Sequence, residues 1–94
     1  MFNGRLVKRS WGWWLILLNR KHFKVKLLWF SGKQRMSRQY HKFRNELWLF
    51  LTGSKSGSWR QHHKKKEHTY TGGRALVLEI QYGAKCEESD IVRL

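Results

Sequence analysis

Gln39 and His41 stand two residues apart, and Glu46 follows after four more. In an extended strand, residues i and i+2 share a face, so the amide oxygen and the imidazole project side by side. A turn over residues 42–45 lets Glu46 open the next strand, and that pair of strands would carry all three side chains to one inner wall. His68 is the best placed further imidazole and completes a four-ligand N/O set. Such donors suit a divalent ion of borderline hardness: Zn first, with Mn, Fe, Co or Ni as alternatives. Spacing alone leaves a second reading open, because a Gln-x-His-x4-Glu string arises by chance and a strand histidine is commonly structural.

Other chemically capable residues are fewer. Glu79 is the only other acid on a central strand, a candidate base with a structural strand role as its competitor. His62 and His63 fall in a basic stretch that reads as a solvated polar edge, and Trp59 either stacks on a ligand or caps the molecule. Cys86 is the only cysteine, which excludes an internal disulfide and a cysteine-rich zinc module. With no cation–histidine arrangement beside it, the thiol reads as inert, and a reducing cytoplasm is the expected compartment.

The elements that must position these residues are strands. Trp11–Asn19 is apolar on all sides and stops at a turn signal, while His22–Phe30 alternates, with Phe23, Val25 and Leu27 opposite Lys24 and Lys26. The short polar connection Arg20-Lys21 between the two runs predicts a hairpin. Glu46–Thr52 is a third run closed by Gly53 and a polar loop, and Arg74–Tyr82 is a fourth, bracketed by glycines. The stretch 60–68 is either an edge strand or a loop. Short strands, regular turn glycines and no helical periodicity predict an all-β sandwich or barrel.

Composition bounds the rest. Ninety-four residues hold one core, here divided into an N-terminal arm over 1–8 and a single domain over 9–94. Forty per cent apolar residues and six tryptophans exclude a disordered basic tail. The longest apolar run, 13–18, is too short to span a bilayer, and the N-terminus lacks a secretory pattern, so neither membrane nor export is expected. The formal charge of +14 suits an anionic partner. It is unevenly laid down: residues 1–66 hold 17 of the 20 cations and a single acid, Glu46. One carboxylate in so basic a stretch calls for an explanation, since a solvated surface mixes both signs.

The segment Gly32–Gly53 resembles the first cupin motif: a glycine, two ligands separated by one residue, a glutamate, and a glycine after six residues. Gly57 and His68 keep the expected identities of the second motif, with 63, 65 and 72 at its intervals. Within cupins the chain is similar to the mannose-6-phosphate isomerase type II family, which also forms the C-terminal part of bifunctional mannose-1-phosphate guanylyltransferases. Arg9-Ser10-Trp11-Gly12-Trp13-Trp14 resembles its opening motif and Phe23-Lys24-Val25-Lys26 its second strand. Met36-Ser37-Arg38-Gln39-Tyr40-His41, with Arg44, Glu46 and Trp48, resembles its ligand motif. Leu78-Glu79-Ile80-Gln81-Tyr82-Gly83 and Asp90-Ile91-Val92-Arg93-Leu94 resemble its closing motifs.

The resemblance implies a small double-stranded β-helix, or jelly-roll barrel, shortened between the two motifs, since only 14 residues separate Gly53 from His68. It implies that Gln39, His41, Glu46 and His68 hold a divalent metal and that Lys26, Arg44 and Arg93 contact a sugar phosphate. Aldose–ketose isomerisation between mannose-6-phosphate and fructose-6-phosphate, or a related pair, is the activity so implied. The departures point the other way: Phe43 and Leu47 stand where the family has histidines, and proline is absent. A cupin that binds metal and sugar without turnover is therefore the alternative. A basic nucleic-acid-binding protein is the third reading, unsupported by any recognised motif. A trimmed barrel leaves an edge strand and apolar tryptophan surface to cover, so a homodimer is expected.

Overall fold

A computed structural model describes residues 6–32, 36, 38–70 and 72–94. Among them run eight strands and no helix: β1 Leu6–Arg9, β2 Gly12–Asn19, β3 Phe23–Phe30, β4 Gln39–Tyr40, β5 Arg44–Phe50, β6 Trp59–His62, β7 Ala75–Gly83 and β8 Val92–Arg93. No helix long and apolar enough to cross a membrane is present among the described residues. The aromatic and branched runs become the long strands, as their preference for a pleated surface dictates. They join in one antiparallel sheet of order β1-β2-β3-β7-β5-β6, with β4 and β8 as a separate two-stranded ribbon.

The β2–β3 hairpin forms in the register Gly12↔Phe30 to Asn19↔Lys24, shifted by an irregularity between Ile16 and Leu18. Gly12 permits its start. Its φ of +151° is one that residues with a side chain rarely adopt, and a Cβ there would stand 1.6 Å from the Trp29 carbonyl oxygen.

Three expectations change. Leu6–Arg9 straddles the expected arm boundary and pairs with β2 as an edge strand. The third run begins earlier and ends earlier than Glu46–Thr52. Arg44 still pairs with Gly83, whereas the amides of Leu51 and Thr52 both turn to the Leu76 carbonyl and leave the ladder. Gln39 and His41 do not form a hairpin with the Glu46 strand. Gln39 exchanges two backbone hydrogen bonds with His68, of 3.0 and 2.7 Å, and β4 pairs with β8. The ligand motif is thus split between the large sheet and the segments facing it. Of the uncertain stretch 60–68, residues 60–62 belong to strand β6 and the rest is turn and loop.

The core lies on one face of the six-stranded sheet. Phe30 is its hub, with ring centroids of Tyr70 at 4.1 Å, Trp11 at 4.9 Å and Trp48 at 5.5 Å. Met36 and Tyr70 cover this face from the opposing segments, joined by the Met36 amide to the Tyr70 carbonyl at 3.1 Å.

Candidate functional site

Strand register sets the inner wall in rows. Lys24 lies opposite Gln81, Gln81 opposite Glu46, and Glu46 opposite His62. In the next row toward the core, Lys26, Glu79, Trp48 and Arg60 stand opposite one another in the same way. Beyond them the wall is Leu28, Val77 and Phe50, then Phe30 and Ala75. Alternation keeps all of these on one face, so a charged end and an apolar end are built from the same three strands.

The charged groups at this end are buried yet paired. Glu46, 2% exposed, receives Arg44 Nε at 3.0 Å and Nη2 at 2.9 Å on its Oε2 atom. His41 Nε2 lies 3.1 Å from the same oxygen, and His68 Nε2 lies 3.4 Å from Oε1. Burial alone would push the Glu46 carboxyl up. The two imidazoles and the Arg44 charge outweigh it and hold the group well below the usual carboxylate range. Burial also raises the Glu79 carboxyl, as does the charge of Glu46, and here Lys26 and Arg44 compensate less. Its two oxygens accept from Trp48 Nε1 and Gln81 Nε2, each at 2.7 Å.

His41 is oriented from behind. Its Nδ1 lies 2.5 Å from the Asp90 carbonyl oxygen, while the Asp90 carboxylate takes the amides of Lys42 and Phe43 at 2.8 and 2.9 Å. With Nδ1–H donating to that carbonyl, Nε2 is the atom presented to the site. His62 stacks on His68 at 4.2 Å and meets the Trp48 ring edge-on. Burial, then the neighbouring His68, lowers the His62 imidazole to about 3.

Seven of the eight predicted site residues line one cavity of about 250 Å³: Gln39, His41, Glu46, Lys26, Arg44, Glu79 and Arg93. His68 is not part of the lining; its Nε2 lies 3.4 Å from Glu46 Oε1 and its ring 6.0 Å from that of Trp48. Lys26 is not free for a ligand, since its ammonium lies 2.6 Å from Glu88 and 3.9 Å above the Trp14 ring. Lys24 binds the other Glu88 oxygen at 2.9 Å. Arg93 is exposed at the margin, and Trp59, 55% exposed, does not line the cavity.

His62 corrects its expected solvated position: the β6 alternation turns it inward with Arg60, while His63 is exposed. That same alternation was the available signal, as it was for Lys24 beside Lys26. Glu88 and Asp90 left no comparable trace, since their roles depend on where the C-terminal segment crosses the cavity.

The donor atoms of His41, Glu46 and His68 all lie within 4.8 Å of one another, and all three residues are buried. Both ring nitrogens of His68 and Nε2 of His62 lack a hydrogen-bond partner. Buried orphan imidazole nitrogens facing a carboxylate fit a borderline divalent ion, so this is a possible metal site by the chemistry of its donors.

No family model and no curated protein matches the chain. Solved structures do. Over 98% of the chain it superposes on oxalate decarboxylase from Bacillus subtilis with a TM-score of 0.75 at 11% identity. A double-stranded β-helix protein from Klebsiella pneumoniae gives a TM-score of 0.71 at 11% identity, covering 97% of this chain and 80% of that one. The fold is a cupin. An RmlC-like cupin from Ralstonia eutropha agrees, with a TM-score of 0.57 and 13% identity over 97% of this chain and 74% of its own. The chain spans only 30% of the length of the oxalate decarboxylase. These likenesses reach the cupin fold and stop short of the mannose-6-phosphate isomerase family.

Proposed function

We propose that this cupin binds a divalent cation through His41, Glu46 and His68, with Gln39 beside them, together with a small oxyanionic ligand of the sugar-phosphate class. The observation carrying this reading is the cluster of His41, Glu46 and His68, the first two of which line one cavity with the buried cations Lys26 and Arg44. A divalent ion supplies Lewis acidity and a positive anchor there. The protein's own residues do the rest: Asp90 fixes the His41 ring, Trp48 and Gln81 hold Glu79, and Lys26 offers an ammonium to an anion able to replace Glu88.

Elemental analysis of the purified chain tests the first half. One equivalent of a divalent metal is expected, lost in His41→Ala; unchanged metal content in that variant sinks the ligand assignment. Thermal stabilisation by mannose-6-phosphate but not by mannose tests the second.

Glu79 favours a second reading, isomerisation of mannose-6-phosphate and fructose-6-phosphate, because a buried carboxyl of raised pKa in the cavity wall is suited to moving a proton between neighbouring carbons. Coupled detection of fructose-6-phosphate with each added metal decides it. No turnover with any of them leaves a binding protein.

The outer face of the sheet supports the homodimer. Trp13, Leu15, Val25, Leu27, Leu76, Leu78, Leu47 and Leu49 form a continuous half-buried apolar surface across four strands, with no charged side chain among them. A second copy presenting the same face matches it without burying charge.

A further inference from the structure

The metal-type donors already hold a cation. The Arg44 guanidinium, 4% exposed, contacts the same Glu46 oxygen through Nε and Nη2, and Nη2 also lies 3.3 Å from His41 Nε2. The His41 tautomer makes this contact meaningful. Because Nδ1–H donates to the Asp90 carbonyl, Nε2 is the ring atom left facing the carboxylate, 3.1 Å from Glu46 Oε2, and the atom His41 would give a metal. Arg44 Nη2 is within reach of both atoms, so the guanidinium already occupies the ground between the imidazole nitrogen and the carboxylate oxygen. The third amino group, Nη1, is anchored 2.6 Å from the Glu87 carbonyl, so the guanidinium is held from two sides.

We infer that Arg44 is a built-in competitor for the divalent ion: guanidinium and metal claim the same atoms, His41 Nε2 and Glu46 Oε2, and Arg44 therefore sets how weakly the site takes up metal. The inference rests on the reading of His41, Glu46 and His68 as metal donors. Its physical basis is that a buried carboxylate needs one strong cationic partner, and the partner in place must release it before another can be accepted. Only Glu46 Oε1 and the orphan His68 nitrogens stand outside the arginine's hold. The alternating sequence carries the device openly, since Arg44 and Glu46 are two apart on β5 and share its inner face.

The test is zinc affinity of the chelator-stripped full chain, measured by competition with a chromophoric chelator, with thermal midpoints taken alongside. Arg44→Met is expected to bind one zinc ion at least tenfold more tightly than the unmodified chain, and zinc is expected to raise its midpoint by more. Arg44→Lys keeps the charge without the fork and is expected to fall between the two. It serves as the second variant if Arg44→Met folds only with zinc present. Equal or weaker zinc binding by both Arg44 variants, with binding still abolished by His68→Ala, overturns the competition and leaves the metal site standing. Zinc binding that survives both His41→Ala and His68→Ala overturns the site reading and the competition with it.

Discussion

The two faces of the six-stranded sheet invert the usual arrangement. The inner face carries Lys24, Lys26, Arg44, Glu46 and Glu79, all buried, while the outer face of the same strands carries leucine, valine and tryptophan at half-burial. A sheet serving only as scaffold turns its apolar face inward. Here Phe30, Leu28, Val77, Phe50 and Ala75 make one end of the inner face apolar, and the opposite end accepts the desolvation of several charges. That cost is tolerable because each charge meets a counter-charge or hydrogen-bond donor within about 3 Å. The contrast places the buried, paired charges at one end of the inner face and the broadest half-buried apolar surface on the outer one.

The largest break comes where the two inner ends join. Trp48 is fully buried, packs its ring against Phe30 and His62, and donates Nε1 to Glu79. Trp48→Ala removes core volume and orphans a buried carboxyl together, so a loss of about 4 kcal/mol or more is expected in urea unfolding. Trp48→Phe restores most of the volume and isolates the cost of the lost hydrogen bond, about 1–3 kcal/mol.

A smaller effect sharpens the charged end by pH. Lys26 and Lys24 outweigh burial and hold the Glu88 carboxyl down at about 2, against 4.5 ordinarily. A carboxyl depressed on folding contributes stability above its unfolded pKa, and that contribution is lost as pH falls through the folded one. Glu88→Gln should therefore be less stable than the unmodified chain at neutral pH, with the gap closing between pH 4.5 and 2. Because the side chain is 37% exposed, the gap is discounted for screening to about 1–2 kcal/mol. A gap independent of pH would show that the ion pairs are not its source.

The smallest stability change is expected outside. Leu78→Lys places a charge at the middle of the apolar outer face, where it can reach water, so the unfolding free energy should move by about 1 kcal/mol or less. Light scattering should nonetheless show a dimer turned to monomer. A monomer already present in the unmodified chain removes the proposed interface.

Apolar runs and turn signals made the four long strands legible, and alternation along β3 the opposed sets Lys24/Lys26 and Val25/Leu27. It did not say which set faces inward, because that depends on what the sheet encloses. Hydropathy alone would choose the wrong face. The donors His41, Glu46 and His68 were legible as residues, but their assembly was not. β4 and β8 have two residues each, too few for any periodicity, so the expected hairpin stood in for a pairing made across the molecule. Glu88 was hidden for a related reason: an acid in an irregular segment carries no signal of the lysines 62 and 64 positions away that it will meet.

Pairing within the site also decides how a ligand would arrive. Lys24, Lys26 and Arg44 are matched inside by Glu46, Glu79 and Glu88, so among the described residues the positive excess lies mainly on exposed side chains such as Lys64, Lys65, Lys66 and Arg74. Arg9 and Arg93, both exposed, bring that positive field to the cavity lining itself. An anion is thus guided by long-range attraction before it touches any binding group, a kinetic advantage that salt erases on the scale of a Debye length of about 8 Å. Rising ionic strength should slow capture far more than it speeds escape.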